Sequence, residues 1–103
     1  MFTLEDFPLR LAQLRMKKGV SAREMSLAIG QNEGYIQNIE SGKSLPAMDK
    51  FLYICDYLKI SPSDFFNMEN EDPVEQTELV QNWRKLNPVQ KTAIHTVINS
   101  YLK

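Results

Sequence analysis

Near the middle of the chain, Glu33, Gly34, Gln37, Asn38 and Ser41 recur at i, i+1, i+4, i+5 and i+8. On a helix that spacing gathers them on one side and leaves Ile36 and Ile39 on the other. The polar side chains suit a surface made of hydrogen-bonding edges. Asn and Gln amides can pair bidentately with an adenine edge in the major groove, Glu can accept from a cytosine amino group, and Ser can do either. A glycine among them lets a backbone or a methyl group come close. On composition alone, the same stripe also reads as an ordinary solvated helix face.

Positioning such a stripe takes helices, and the sequence punctuates them clearly. Pro8 suits a first turn, Leu11, Leu14, Arg15 and Lys18 keep a 3.6-residue period, and Gly19 is a stop signal, which predicts helix one over 8–18. Ser21 with Glu24 three residues on has the form of a capping box for a helix over 22–29, with Met25, Ala28 and Ile29 facing inward and Gly30 ending it. Asn32 is the expected cap of helix three, over 32–41, which Gly42 closes. A turn of about three residues between helices two and three has the spacing of a helix-turn-helix unit. Met48, Phe51, Leu52, Cys55 and Leu58 then form an inward stripe, and Ser61-Pro62 opens a short turn through Phe65 and Phe66.

Residues 67–73 are polar and acidic and read as a linker between a domain over 1–66 and an element over 74–103. In that element Asp72-Pro73 and Asn87-Pro88 both have the form of a helix start. Leu79, Val80 and Trp83 line one apolar stripe, while Ile94, Val97, Ile98, Tyr101 and Leu102 line another. The expectation is a helical hairpin whose apolar faces need a partner. A homodimer interface built on Leu79, Trp83, Ile94, Val97, Ile98 and Tyr101 is the sharper reading; folding back onto the domain, or docking a protein effector, are the alternatives.

The totals narrow the function classes. The chain has 103 residues and is 43% hydrophobic, enough for one modest core. Its formal charge is -1 and its pI near 5.8, which argues against a strongly basic nucleic-acid module. The imbalance is uneven: residues 1–60 carry eight basic and seven acidic side chains, residues 61–103 four and six. No stretch approaches the roughly 20 apolar residues of a membrane span, so a cytoplasmic protein beginning at its own Met1 is expected. Cys55 has no second thiol to pair with, and His95 no neighbouring ligand, so neither catalysis nor a metal site is expected. With no phosphate loop, nucleophile elbow or paired carboxylates on a cleft, no enzyme and no cofactor are expected.

Residues 10–66 resemble the lambda-repressor-like, XRE-type helix-turn-helix family. The resemblance rests on Leu14-Arg15 before the Gly19-x-Ser21 turn, on Ile36-x-x-Ile39-Glu40-x-Gly42-Lys43-x-x-Pro46, and on Ser61-Pro62-x-x-Phe65-Phe66. It covers over half of the chain without gaps. It implies an all-α fold: a five-helix lambda-repressor-like helix-turn-helix domain, here followed by the C-terminal hairpin. It further implies a regulator, expected to be a repressor, that docks helix three in the major groove of a double-stranded DNA operator as a homodimer. By that resemblance Asn32, Glu33, Gly34, Gln37 and Asn38 fall where bases are contacted. Ser21, Ala22, Tyr35, Gly42, Lys43 and Ser44 fall where phosphates are held. Arg15 and Glu40 match a structural ion pair between helices one and three. The competing expectation is an antitoxin-like or adaptor protein that uses the same fold to bind a protein.

Overall fold

In a computed structural model covering residues 1–103, the chain forms seven α-helices and no strand. They are α1 (Asp6–Lys18), α2 (Ala22–Ala28), α3 (Tyr35–Glu40), α4 (Met48–Leu58), α5 (Pro62–Phe66), α6 (Pro73–Arg84) and α7 (Pro88–Leu102). Helix α1 starts two residues earlier than Pro8 suggests, because the Asp6 carboxylate accepts the Thr3 N–H at 2.8 Å and so fixes the entering turn. Ser21 caps α2 by accepting the Glu24 N–H at 3.0 Å. The return bond of a full capping box forms instead at α5, between Ser61 and Asp64, and at α7, between Asn87 and Gln90.

Helix α4 ends without a glycine. Lys59 takes a left-handed conformation (φ 60°), which costs a side-chain-bearing residue on the order of 1 kcal/mol. The next residue explains it: the Ile60 N–H reaches back to the Cys55 carbonyl at 3.1 Å, and the Ile60 side chain is buried. An apolar contact of this kind commonly accompanies a left-handed helix end.

The core lies between α1, α2, α3, α4 and α5. Leu11, Leu14, Met25, Ile36, Ile39, Ile54, Cys55, Leu58 and Phe65 are buried, and Phe7, tilted, and Phe51, edge to face, pack against Phe65 with ring centroids 4.8 and 5.1 Å away. Three expectations of the inward stripes are corrected. Met48 and Leu52 are exposed, at 71% and 45%, because the buried face of α4 runs through Phe51, Ile54, Cys55 and Leu58. That face is an i, i+3, i+4, i+7 series, which puts Leu52 on its flank and Met48 at the helix end. Ala28 is likewise exposed, and the inward place in α2 belongs to Ser26.

Arg10 is fully buried. Its Nε donates to the Phe65 carbonyl at 2.6 Å, Nη1 to Gln13 Oε1 at 2.6 Å, and Nη2 to the carbonyls of Asp64 and Asn70 at 2.7 and 3.0 Å. Burial lowers its pKa from the ordinary arginine value, against the opposing effect of the Asp64 charge. A planar fork with five donors can satisfy several helix-end carbonyls at once, which an ammonium cannot.

Helices α6 and α7 do not fold back onto this body. Pro73 is the one buried residue of α6, and α7 buries none. The molecule is accordingly elongated, 50 × 27 × 22 Å. No helix is long and apolar enough to cross a membrane.

Candidate functional site

Helix α3 is held from both ends and from below. Ile36 and Ile39 are fully buried. At its start the Ile36 N–H donates to Ser26 Oγ at 3.0 Å, while the same hydroxyl donates to the Ala22 carbonyl at 2.7 Å. A buried N–H that would otherwise lack a partner is thus satisfied from α2, and the angle between the two helices is fixed. At its end Glu40 accepts a bidentate pair from Arg15, Nε to Oε2 at 2.7 Å and Nη2 to Oε1 at 2.9 Å. Arg15 Nη1 also donates to the Val20 carbonyl at 2.9 Å, tying the α1–α2 turn to the same pair. The hydrogen bonds it gives Glu40 hold the Arg15 guanidinium above its ordinary pKa.

Helix α3 is shorter than the expected 32–41. It begins at Tyr35, and residues 29–34 rather than about three residues join it to α2. Asn32 does not cap it: Gly34 occupies the cap position, and Asn32 Oδ1 accepts the Gly34 N–H at 3.1 Å. A side chain bonding two residues ahead offers the backbone a turn in place of a helix, and glycine at the third position adds little helical preference. Asn32 and Glu33 are exposed on that turn, whereas Gln37 and Asn38 stand exposed on α3 itself. Gly34 has ordinary space around it, since an added Cβ would meet only Asn32 Oδ1, at 3.8 Å.

Glu33 is engaged. Arg23 Nε donates to Glu33 Oε2 at 3.1 Å across the helix-turn-helix, with both side chains about 70% exposed, an arrangement that contributes little stability and exchanges readily with solvent. Ser21 is exposed beside the first amides of α2, of which Ala22 and Arg23 have no intrahelical acceptor. After α3, Gly42 turns the chain at φ 81°, a conformation that side chains disfavour, and the Lys43 N–H closes on the Asn38 carbonyl at 3.0 Å. The Lys43 amide is therefore spent, while its side chain and Ser44 are exposed. Tyr35 is placed differently from the rest. Its hydroxyl is buried without a hydrogen-bond partner, and burial followed by the charge of Asp49 raises its pKa. That hydroxyl is not presented to an external anion.

Most cations of the body are occupied. Arg10 is buried, Arg15 is on Glu40, Arg23 on Glu33, Lys17 within 3.8 Å of Asp72, Lys50 beside Asp49, and Lys18 over the Tyr57 ring. Lys43 and Lys59 remain without a carboxylate or ring partner, and Lys43 is the one next to α3. The Cys55 thiol is pushed up to about 11 by burial and by Asp56, which makes it an inert core side chain at neutral pH.

In the tail, Leu79, Trp83, Ile94 and Ile98 come together around an apolar groove of about 460 Å³ between α6 and α7, with Val80 and Leu86. Val97 and Tyr101 lie on α7 outside that lining and are 54% and 85% exposed.

Sequence reasoning did not single out Ser26, Arg10 or Arg23. For Ser26 a signal existed: it occupies an inward position of α2 between Met25 and Ile29, where a hydroxyl must find partners. Arg10 and Arg23 depend on contacts 55 and 10 residues away and leave no local mark.

Residues 9–71 match the family model described as a helix-turn-helix domain, more than half of the chain. No curated protein and no solved structure matches the chain.

Proposed function

The chain belongs to the helix-turn-helix domain family, and from that membership we propose that it is a sequence-specific DNA-binding transcriptional regulator, of the lambda-repressor-like, XRE type. In this reading α3 enters the major groove, and a homodimer joined through α6 and α7 presents two such helices to an operator. Occupying the operator blocks transcription, which makes the protein a repressor. The observation that carries the reading is the two-sidedness of α3: Ile36 and Ile39 are fully buried while Gln37 and Asn38 are exposed and free of intramolecular side-chain bonds.

The side chains divide the work by chemistry. The carboxamides of Gln37 and Asn38 have the paired donor and acceptor that an adenine edge requires. Asn32, Glu33 and Gly34 meet the neighbouring base pair from the turn, with Glu33 released from Arg23 as Arg23 turns to a phosphate. Lys43 supplies the main cationic grip, supported by Ser21, Ala22, Gly42 and Ser44 around exposed backbone. Tyr35 contributes its backbone and ring edge rather than its buried hydroxyl. The Ser26 bridge and the Arg15–Glu40 pair set the pitch of α3 so that the amides arrive in register.

In-vitro selection from random duplexes tests this directly. The wild-type chain is expected to enrich one half-site, and Gln37→Ala or Asn38→Ala to relax preference at one position at a cost of about 1–3 kcal/mol. Unchanged preference in both variants would remove α3 as the reader. The scarcity of unpaired cations on the body favours a second reading, in which the exposed row on α3 docks a protein partner. No enrichment at low salt would turn the assignment to that adaptor role.

A further inference from the structure

The segment between the body and the tail has the composition of a loose tether, but its bonds are those of a joint. The Asn70 carbonyl accepts from the buried Arg10 at 3.0 Å, and Asn70 Nδ2 donates to Gln76, at the close of the first turn of α6. Asp72 faces both ways: Oδ1 accepts the Glu75 N–H at 3.2 Å, capping α6, while Oδ2 lies 3.8 Å from Lys17 Nζ at the end of α1. Pro73, the first residue of α6, is fully buried and lines a small cavity with Leu14, Leu58 and Ile60, between the C-terminal ends of α1 and α4. Helix α6 therefore leaves the body in one direction, from a residue that is itself packed into the body.

We infer that Arg10, Asn70, Asp72 and Pro73 form a rigid joint that fixes the tail relative to α3, and so determines which spacing between half-sites the dimer accepts. The inference rests on the reading of the chain as a dimeric DNA-binding regulator. A dimer whose halves hang on flexible tethers tolerates changes in spacing, because each domain can follow its half-site around the duplex. A dimer with fixed joints does not: one added base pair rotates a half-site by about a tenth of a helical turn, and both domains can no longer engage together. These four are positioning residues, since none of them reaches DNA.

The test uses the full chain and the operator duplex that selection yields, with none or one base pair inserted between half-sites. Wild-type affinity is expected to fall on the order of 100-fold with the insertion, the scale of lost bivalency. The double variant Lys17→Ala/Pro73→Gly is expected to lose only about threefold while keeping the same base preference within each half-site. A second variant, Lys17→Ala/Asn70→Ala, spares Pro73 and serves if the first fails to fold. Wild-type tolerance of the insertion, or an undiminished penalty in folded variants, would overturn the joint's role.

A DNA-free arm separates this from failure of the DNA reading. Spin labels at Glu24→Cys and Gln81→Cys, diluted with unlabelled chain, are expected to give one narrow distance distribution that broadens in the double variant. A broad wild-type distribution overturns the rigid joint itself. A narrow one with no operator selected overturns the DNA reading and the spacing role with it.

Discussion

The body over 6–66 and the tail over 73–102 are built from the same materials, short helices with stripes of leucine, isoleucine and aromatic side chains, and they put those stripes to opposite use. In the body five helices close around Leu11, Ile36, Ile54 and Phe65, and even the buried polar groups of Arg10 and Ser26 find partners within the chain. In the tail two helices meet along one groove, and Leu79, Ile94, Val97 and Ile98 stay substantially exposed. Two helices have too few faces to enclose a core, so an apolar stripe there is completed only from outside. Burial alone separates a region with a closed core from one whose apolar stripes stay open to solvent.

The largest expected effect lies on the body's side of this comparison. Phe65→Ala removes a fully buried ring at the meeting point of α1, α4 and α5 and should cost ~3–5 kcal/mol in urea unfolding followed by circular dichroism. A cost below about 1 kcal/mol, the scale of surface sites, would erase the contrast between the two regions. Ser26→Ala should cost about 1–3 kcal/mol, because it leaves the Ile36 N–H buried and unpaired. The same variant should weaken DNA binding beyond its stability loss if the hydroxyl sets the angle of α3.

On the tail's side, Ile98→Glu should change the body's unfolding free energy by less than about 0.5 kcal/mol, since the side chain packs on nothing in the body. Its effect belongs to association: sedimentation should show a wild-type dimer and a monomeric variant. Trp83, the single tryptophan, lines the tail groove and reports the same event by fluorescence. A wild-type monomer would leave the tail face to another protein, as would a variant that still dimerised.

Much of the fold was legible because helix ends are local chemistry. Ser21, Asp72 and Asn87 each announce a cap that the backbone then uses, and Gly19 and Gly42 take the left-handed turns their positions call for. The burial of Ile36 and Ile39 followed from periodicity, and with it the exposed row of Gln37 and Asn38. The start of α3 was not legible in this way, because Asn32 can cap a helix or close a turn, and the neighbouring Gly34 decides for the turn. The left-handed Lys59 was also hidden, since what holds it is the burial of Ile60 against the body.

Local sequence alone was enough to establish that the chain is helical, where most of its helices begin and end, and the main apolar stripe of α1 and α3. Those properties depend on neighbours within a turn or two. Packing between distant segments settled which further charges are available and which are consumed, beyond the Arg15–Glu40 pair that the family resemblance already implies: Arg10 gripping the carbonyls of Asp64, Phe65 and Asn70, Arg23 drawn to Glu33, and Lys43 left free. It also turned an acidic linker into a joint through Pro73. These outcomes depend on residues far apart in the chain arriving within 3 to 4 Å, a condition that no local pattern encodes.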